Sequence, residues 1–227
     1  MAAYAAWMTL LLVAYYLLPG IRVAVWGVLA ISGVAAIVAG VILNRPASRA
    51  PWLLLAAANL SFAVGQESFL VLTQIRHLAV AFPSIVDLFY LATYPLYAAA
   101  LLIFIRRRSA GHDRRSLLDA LTLTVGLALL SWVFLILPYV NNTTLTWLQK
   151  AIAIAYPLGD VLVLAMLARL LAPGTWRSRS LQLLTLGSVG LLASDVAFGS
   201  IQLYSSFRIG TLADFGWAVF YAAWGAA

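Results

Sequence analysis

Long apolar runs alternate with short polar stretches along the whole chain. Most runs hold about 17 to 25 residues, and a helix needs about 20 to cross the hydrocarbon layer of a membrane. These runs lack the alternation of barrel strands, and only helices and closed barrels satisfy every backbone group in lipid. The pattern predicts an all-α polytopic transmembrane bundle, a single integral membrane domain over residues 1–227, with about eight spans. They are 2–18, 21–44, 52–75, 85–105, 117–140, 147–171, 181–204 and 212–227.

The last apolar run is short. From Asp214 to Ala227 it would give about 20 Å of helix, against a hydrocarbon core of about 30 Å. No Lys or Arg follows it to mark a cytoplasmic end. We therefore expect the chain to be cut before a cytoplasmic output domain.

An internal repeat relates three of the predicted spans. The stretches 84–96, 144–158 and 211–223 align with one another, and each enters its span from the same side. The stretches that lead back out also resemble one another, as in RSLLDALTLTVGLALLS and RSLQLLTLGSVGLLASD. The repeat predicts a helical hairpin used about three times in parallel orientation, with the first span added in front.

Four spans begin with the pattern S/T-x-x-D/Q. It resembles a capping box, in which the hydroxyl and the third side chain bind backbone N–H groups that the first helical turn leaves free. The helix dipole also favours an acid in this turn. We therefore predict that these residues start helices at the membrane interface. The pairs are Ser84 with Asp87, Ser116 with Asp119, Thr146 with Gln149, and Thr211 with Asp214.

Three other acids lie deep inside predicted spans. At about 1.5 Å per residue, Glu67, Asp195 and Asp160 lie about 22, 21 and 17 Å from the cytoplasmic boundary. No Lys, Arg or His lies at that depth in the sequence. Two interpretations stay open. Protonated acids can hold neighbouring helices together, or the three can line a polar pocket, entered from outside, that senses a ligand, a cation or a proton.

Two tyrosines are the predicted neighbours of these acids. Tyr94 and Tyr156 each precede a proline, which weakens the helix at that point. Asp87, Tyr90 and Tyr94 also share one helix face, at spacings of three and four residues. Such a face suits a small-molecule pocket and close helix packing equally well.

Composition and charge support the membrane interpretation. The chain is 64% hydrophobic and 9% charged, which excludes an ordinary soluble domain. Of the basic residues in the connections, ten fall on one side of the predicted topology and four on the other. The positive-inside rule then predicts that both termini lie in the cytoplasm. The expected partner is the lipid bilayer, and no nucleic acid is expected.

Several chemistries are excluded by residue type or position. The chain has no cysteine, so thiolate metal sites and cysteine nucleophiles are excluded. His77 and His112 lie in predicted loops, which excludes a bis-histidine haem inside the bundle. The only lysine, Lys150, lies at an interface, where it cannot hold retinal. We predict neither a metal nor a cofactor.

An enzyme or a transporter remains an alternative. PLGDV at 157–161 resembles the G-x-G-D motif of intramembrane aspartyl proteases, with Pro157 in place of the first glycine. Asp195 would then supply the second carboxyl group that this chemistry requires. A stand-alone protease of this kind, or a transporter of a small molecule or proton, stays open beside a sensor.

Three stretches carry a resemblance to a known family. They are PSIVDLFYLATYPLYAAALLIFIRRR, RRSLLDALTLTVGLALLSWVFLILPYV and IAYPLGDVLVLAMLARLL. With the final DFGWAVFYAAWGAA, they resemble the multi-pass N-terminal membrane module of actinobacterial signalling proteins that carry a GGDEF diguanylate cyclase domain and often an EAL phosphodiesterase domain. The resemblance covers roughly residues 50–227 and depends on D-x-x-Y-x-x-x-Y-P, LLDA and YPLGD.

This resemblance implies a membrane sensor or anchor that regulates cyclic di-GMP turnover. It also implies a homodimer formed through the output domain, and a full-length protein with cyclase or phosphodiesterase activity. The chain itself contains neither a GGDEF nor an EAL motif. No catalytic residue of those domains is therefore expected in it.

Overall fold

The computed structural model describes residues 2–108, 114–171, 178–204 and 209–227, which form helices and no strand. The all-α prediction is therefore confirmed for this part of the chain. π-helical turns at Val71–Ile75 and Trp132–Ile136 extend two of the helices. The helices are α1 (Ala2–Leu17), α2 (Arg22–Asn44), α3 (Ala50–Leu70), α4 (Ile85–Arg108), α5 (Arg114–Ser131), α6 (Leu137–Asn141), α7 (Trp147–Leu170), α8 (Arg179–Tyr204) and α9 (Leu212–Ala226).

Within the described ranges, six helical segments are long and apolar enough to cross a membrane, which indicates a membrane protein. The helices α1 and α9 hold 16 and 15 residues. Each gives less than about 25 Å of helix, so the prediction of about eight spans is not confirmed. The six are Pro19–Asn44, Ala50–Ile75, Ile85–Arg107, Leu121–Asn141, Trp147–Leu170 and Arg179–Leu203.

Six helices pack in a closed ring. In order around it come α2, α3, α4, α7, α8 and α9, and α9 packs back against α2. Outside this ring, α1 lies against α2 and α9, and α5 lies against α7. The three predicted hairpins correspond to the packed pairs α3 with α4, α5 with α7, and α8 with α9. Their origin in a sequence repeat stays a prediction.

Aromatic side chains fill the centre of the ring. The rings of Phe220 and Trp224 from α9 lie 4.4 Å apart, and Tyr97 from α4 lies 4.3 Å from Trp224. The Tyr97 hydroxyl also forms a hydrogen bond with Ser188 of α8. This packed centre joins α4, α8 and α9.

Side chains at the predicted capping positions hold the starts of three helices. Before α7, the Thr146 hydroxyl accepts from the Gln149 N–H at 3.3 Å, and the Gln149 side chain accepts from the Thr146 N–H at 2.8 Å. Before α4, the Asp87 carboxylate accepts from the Ser84 N–H at 2.7 Å. These bonds fix where each helix enters the bundle.

The start of α9 is held in the same way, with the Asp214 carboxylate accepting from the Thr211 N–H at 3.1 Å. The remaining predicted pair, Ser116 with Asp119, lies in the first turns of α5. The side chains of this pair lie outside the described residues.

Candidate functional site

A cavity of about 550 Å³ occupies one end of the ring. Residues from α3, α4, α6, α7, α8 and α9 line it, and its mouth is bordered by the connections before α4 and before α7. Its deepest wall includes Asp160, which lies about 20 Å along α7 from Trp147. The cavity therefore reaches from the loops well into the helical bundle.

Two carboxyl groups meet in the deep part of the cavity. Asp160 of α7 and Asp195 of α8 line it, are partly exposed to it, and both lie within hydrogen-bonding distance of the Tyr94 hydroxyl. Two carboxylates this close repel each other in a medium of low dielectric, so a single negative charge on the pair is favoured over two.

Two neighbouring side chains fix the position of this carboxyl pair. The Tyr94 hydroxyl donates to Asp160 Oδ1 at 3.0 Å and lies 3.4 Å from Asp195 Oδ2. The indole N–H of Trp217 in α9 donates to Asp195 Oδ1 at 2.8 Å. Residues from α4, α7, α8 and α9 thus meet at one point.

Gly159 explains why Tyr94 lies so close to α7. A Cβ atom added at Gly159 would lie 2.5 Å from Tyr94 Cγ, closer than any real contact. The Tyr94 ring therefore packs directly on the α7 backbone, one residue before Asp160. Any other residue at position 159 would push the ring away from the carboxyl group that it binds.

A second link between α4 and α7 lies nearer the mouth. The Tyr156 hydroxyl donates to Asp87 Oδ1 at 2.7 Å, while Asp87 Oδ2 accepts from the Ser84 N–H. Asp87 thus caps its own helix and holds a tyrosine of the next one. The Tyr94 and Tyr156 rings then meet edge to face, with their centroids 6.5 Å apart.

The cavity is acidic and aromatic. Among the described residues that line it there are three aspartates and no Lys, Arg or His. Tyr90 also lines it, and its hydroxyl donates to Gln66 Oε1 at 2.6 Å. The field inside the cavity therefore favours cations.

Glu67 is separated from the carboxyl pair, although all three acids were expected in one pocket. It is not among the described residues of the cavity lining. Its carboxylate lies against α2, since a Cβ added at Gly27 would lie 3.1 Å from Glu67 Oε1. The preceding residue, Gln66, lines the cavity instead. Of the five candidate binding residues, the structure brings together Asp160, Asp195, Tyr94 and Tyr156.

Sequence reasoning predicted a capping role for Asp87 and left its aromatic helix face open to either a pocket or packing, as it did for the matching face that carries Trp217. It gave Gly159 no role in a binding site. The sequence feature that points to Asp87 as a cavity residue is its spacing from Tyr90 and Tyr94, which places all three on one helix face. Trp217 occupies the equivalent position on α9, three residues after Asp214. Nothing in a single sequence shows that Gly159 lies under a particular tyrosine.

No group of three or more His, Cys, Asp or Glu within the described ranges is placed to hold a metal ion. The arrangement instead offers carboxyl oxygens and aromatic rings to whatever enters the cavity.

Comparison of the chain with protein-family models, with curated proteins and with solved structures finds no match.

Proposed function

We propose that the chain is a membrane sensor module whose cavity binds a small ligand. The observation that carries this proposal is a cavity of about 550 Å³ whose wall holds Asp160 and Asp195 around the Tyr94 hydroxyl. Small-molecule sites are typically concave, with a few polar groups placed among apolar and aromatic walls. If the carboxyl pair only tied helices together, close packing would leave no such space beside it.

The proposed topology opens the cavity to the outside. The distribution of basic residues favours this orientation, and α1 and α9 would complete eight crossings. A ligand bound at Asp160 and Asp195 would lie close to Trp217, because the indole N–H of Trp217 donates to Asp195. Trp217 belongs to α9, so ligand binding would shift the position of that helix and, with it, the output domain that the family resemblance implies.

The proposed output is cyclic di-GMP turnover in a homodimer, at the inner membrane of a bacterium. Its support is the resemblance to the membrane modules of GGDEF and EAL proteins. Two of the motifs behind this resemblance contribute to the cavity. D-x-x-Y-x-x-x-Y-P supplies Asp87, Tyr90 and Tyr94, and YPLGD supplies Tyr156 and Asp160.

An intramembrane aspartyl protease is the second candidate function, favoured by the position of Asp160 and Asp195 around one tyrosine hydroxyl. Two carboxyl groups that share a proton are the chemistry of aspartic proteases. In this cavity, however, hydrogen bonds from Tyr94 and Trp217 already reach three of the four carboxyl oxygens. Because these oxygens already accept hydrogen bonds, the pair is better suited to holding a ligand than to activating a water molecule for peptide cleavage.

The signalling proposal is tested with the protein from the complete reading frame, expressed in cells whose cyclic di-GMP is measured. Gly199 lines the cavity, and a Cβ there would be in ordinary contact with Leu135, so Gly199→Leu fills space inside it. Gly126→Leu is the matched control, because a Cβ at Gly126 meets nothing within 4 Å. We expect Gly199→Leu to change cyclic di-GMP several-fold and Gly126→Leu to leave it unchanged.

Two results would contradict the proposal. One is a reading frame that encodes neither a GGDEF nor an EAL domain. The other is an unchanged cyclic di-GMP level in the Gly199→Leu protein. Cleavage of membrane peptides that disappears with Asp160→Asn would instead support the second candidate.

A further inference from the structure

We infer that the ligand of this cavity is an organic monocation, an ammonium group on an apolar body. This inference deepens the proposed function, since it requires that the cavity bind a small molecule. It depends on the charge of the carboxyl pair, the bonding of the tyrosine hydroxyls and the size of the cavity.

The carboxyl pair favours a ligand with a single positive charge. Asp160 and Asp195 both lie within hydrogen-bonding distance of the Tyr94 hydroxyl, and no basic residue is found in the described lining. Like charges this close repel, so one negative charge on the pair is favoured over two. A ligand with one positive charge then neutralises the pair.

The hydrogen bonds already formed disfavour a ligand that presents acceptor atoms. The hydroxyl groups of Tyr90, Tyr94 and Tyr156 donate to Gln66, Asp160 and Asp87. These donors are engaged, while Asp160 and Asp195 present carboxyl oxygens to the cavity. An anion or a carbonyl group would meet other acceptors, whereas an ammonium group, with or without an N–H, presents positive charge to them.

The aromatic walls favour a cation with an organic body. A positive charge over a tyrosine ring gains about 0.5 to 2 kcal/mol from the ring quadrupole. The volume of about 550 Å³ is many times that of one water molecule, about 30 Å³. A bare metal ion would leave most of this space to water, but an ammonium with an apolar substituent would fill it.

The ammonium group has two possible sources, because the cavity mouth lies at the end of the membrane spans. It can belong to a free amine or quaternary amine in water, or to the headgroup of a lipid. Both present the same chemistry to Asp160 and Asp195. The lipid composition used in the experiment distinguishes them.

The test uses the purified chain in nanodiscs of phosphatidylglycerol, with binding measured by calorimetry. The probe is benzyltrimethylammonium, whose neutral isostere is neopentylbenzene, with carbon in place of nitrogen. Phenylpropionate serves as the anionic probe. We expect the cation to bind at least about tenfold more tightly than either, as one unscreened charge pair provides. Gly199→Leu should abolish this binding.

The variants separate charge from shape. Asp160→Asn/Asp195→Asn removes the charge and should abolish cation binding. Either single variant keeps one carboxylate and should retain measurable binding. Glu67→Gln is the matched control, because it removes a carboxyl group that does not line the cavity, and it should bind as the wild type does. Circular dichroism shows that each variant is folded.

The outcomes distinguish this inference from the function on which it rests. If neopentylbenzene or phenylpropionate binds as tightly as the cation, and Gly199→Leu abolishes that binding, the monocation inference is wrong and the ligand cavity stands. If no probe's binding depends on Gly199→Leu, both fail. Weaker cation binding after addition of phosphatidylethanolamine to the discs identifies a lipid headgroup as the competing monocation, and unchanged binding identifies a free one.

Discussion

At the scale of single residues, the candidate site depends on how closely Tyr94 approaches α7. Gly159 permits that approach because it has no side chain, and the tyrosine hydroxyl then reaches both carboxyl groups of the pair. Asp160 follows Gly159 directly in the sequence. In YPLGD, Gly159 therefore leaves space for the Tyr94 ring, and Asp160 accepts a hydrogen bond from the Tyr94 hydroxyl.

Gly159→Ala should destabilise the protein and weaken cation binding. The added methyl group would lie 2.5 Å from Tyr94 Cγ, and overpacking of this kind costs about 1 to 3 kcal/mol. Thermal unfolding followed by circular dichroism measures the loss. Gly126→Ala is the control, because it brings the same gain in helix propensity at a position with open space. Equal melting temperatures for the two variants would contradict the close packing of Tyr94.

At the scale of the helices, two of the capping acids also connect helices. Asp87 begins α4 and binds Tyr156 of α7, and Asp214 begins α9 and binds Tyr15 of α1 at 2.8 Å. Gln149, in the first turn of α7, likewise donates to the Phe82 carbonyl at 2.9 Å. The residues that start these helices therefore also set how they lie against their neighbours.

Asp87 and Tyr156 should be energetically coupled. A double-mutant cycle with Asp87→Asn and Tyr156→Phe should give a coupling of about 1 to 2 kcal/mol in the free energy of unfolding, as for a hydrogen bond to a charged group. As a control, Asp214→Asn combined with Tyr156→Phe should be additive, since Asp214 binds Tyr15 instead. Additive effects for Asp87 and Tyr156 would show that their bond does not contribute to stability.

The sequence predicted the helices better than it predicted which way their side chains face. Apolar runs and capping patterns located the helical segments within a few residues, because both depend on local physics. Counting residues also placed Glu67, Asp160 and Asp195 at similar depths. The depth of a residue does not show which way its side chain points around the helix axis. Each successive residue is rotated by about 100° about that axis. Gln66 therefore lines the cavity while its neighbour Glu67 lies against Gly27.

The π-helical turns had no signal in the apolar pattern. The turn at Trp132–Ile136 inserts a wider turn between α5 and α6, and Leu135 within it lines the cavity. A π-helical turn rotates all residues that follow, so pattern matching at a fixed period fails beyond it. Such turns depend on tertiary packing, which a single sequence does not display.

At the scale of the whole molecule, aromatic side chains pack at the centre of the ring of helices, and the cavity occupies one end of it. The outer surface presents large apolar side chains, as expected for contact with lipid, while the cavity presents carboxyl groups. If the cavity binds a cation, it should admit ions from water into the middle of apolar helices. Accessibility of introduced cysteines tests it directly, since the chain has none of its own.

The measurement compares Gly199→Cys, in the cavity lining, with Gly126→Cys, on the exposed outer face of α5. Two membrane-impermeant reagents are added to intact expressing cells, the cationic trimethylammonioethyl methanethiosulfonate and the anionic sulfonatoethyl methanethiosulfonate. We predict that Gly199→Cys reacts, that it reacts faster with the cationic reagent, and that benzyltrimethylammonium protects it, while Gly126→Cys in lipid does not react. An unreactive Gly199→Cys, or equal reaction at the two positions, would contradict a water-filled acidic cavity that opens to the outside.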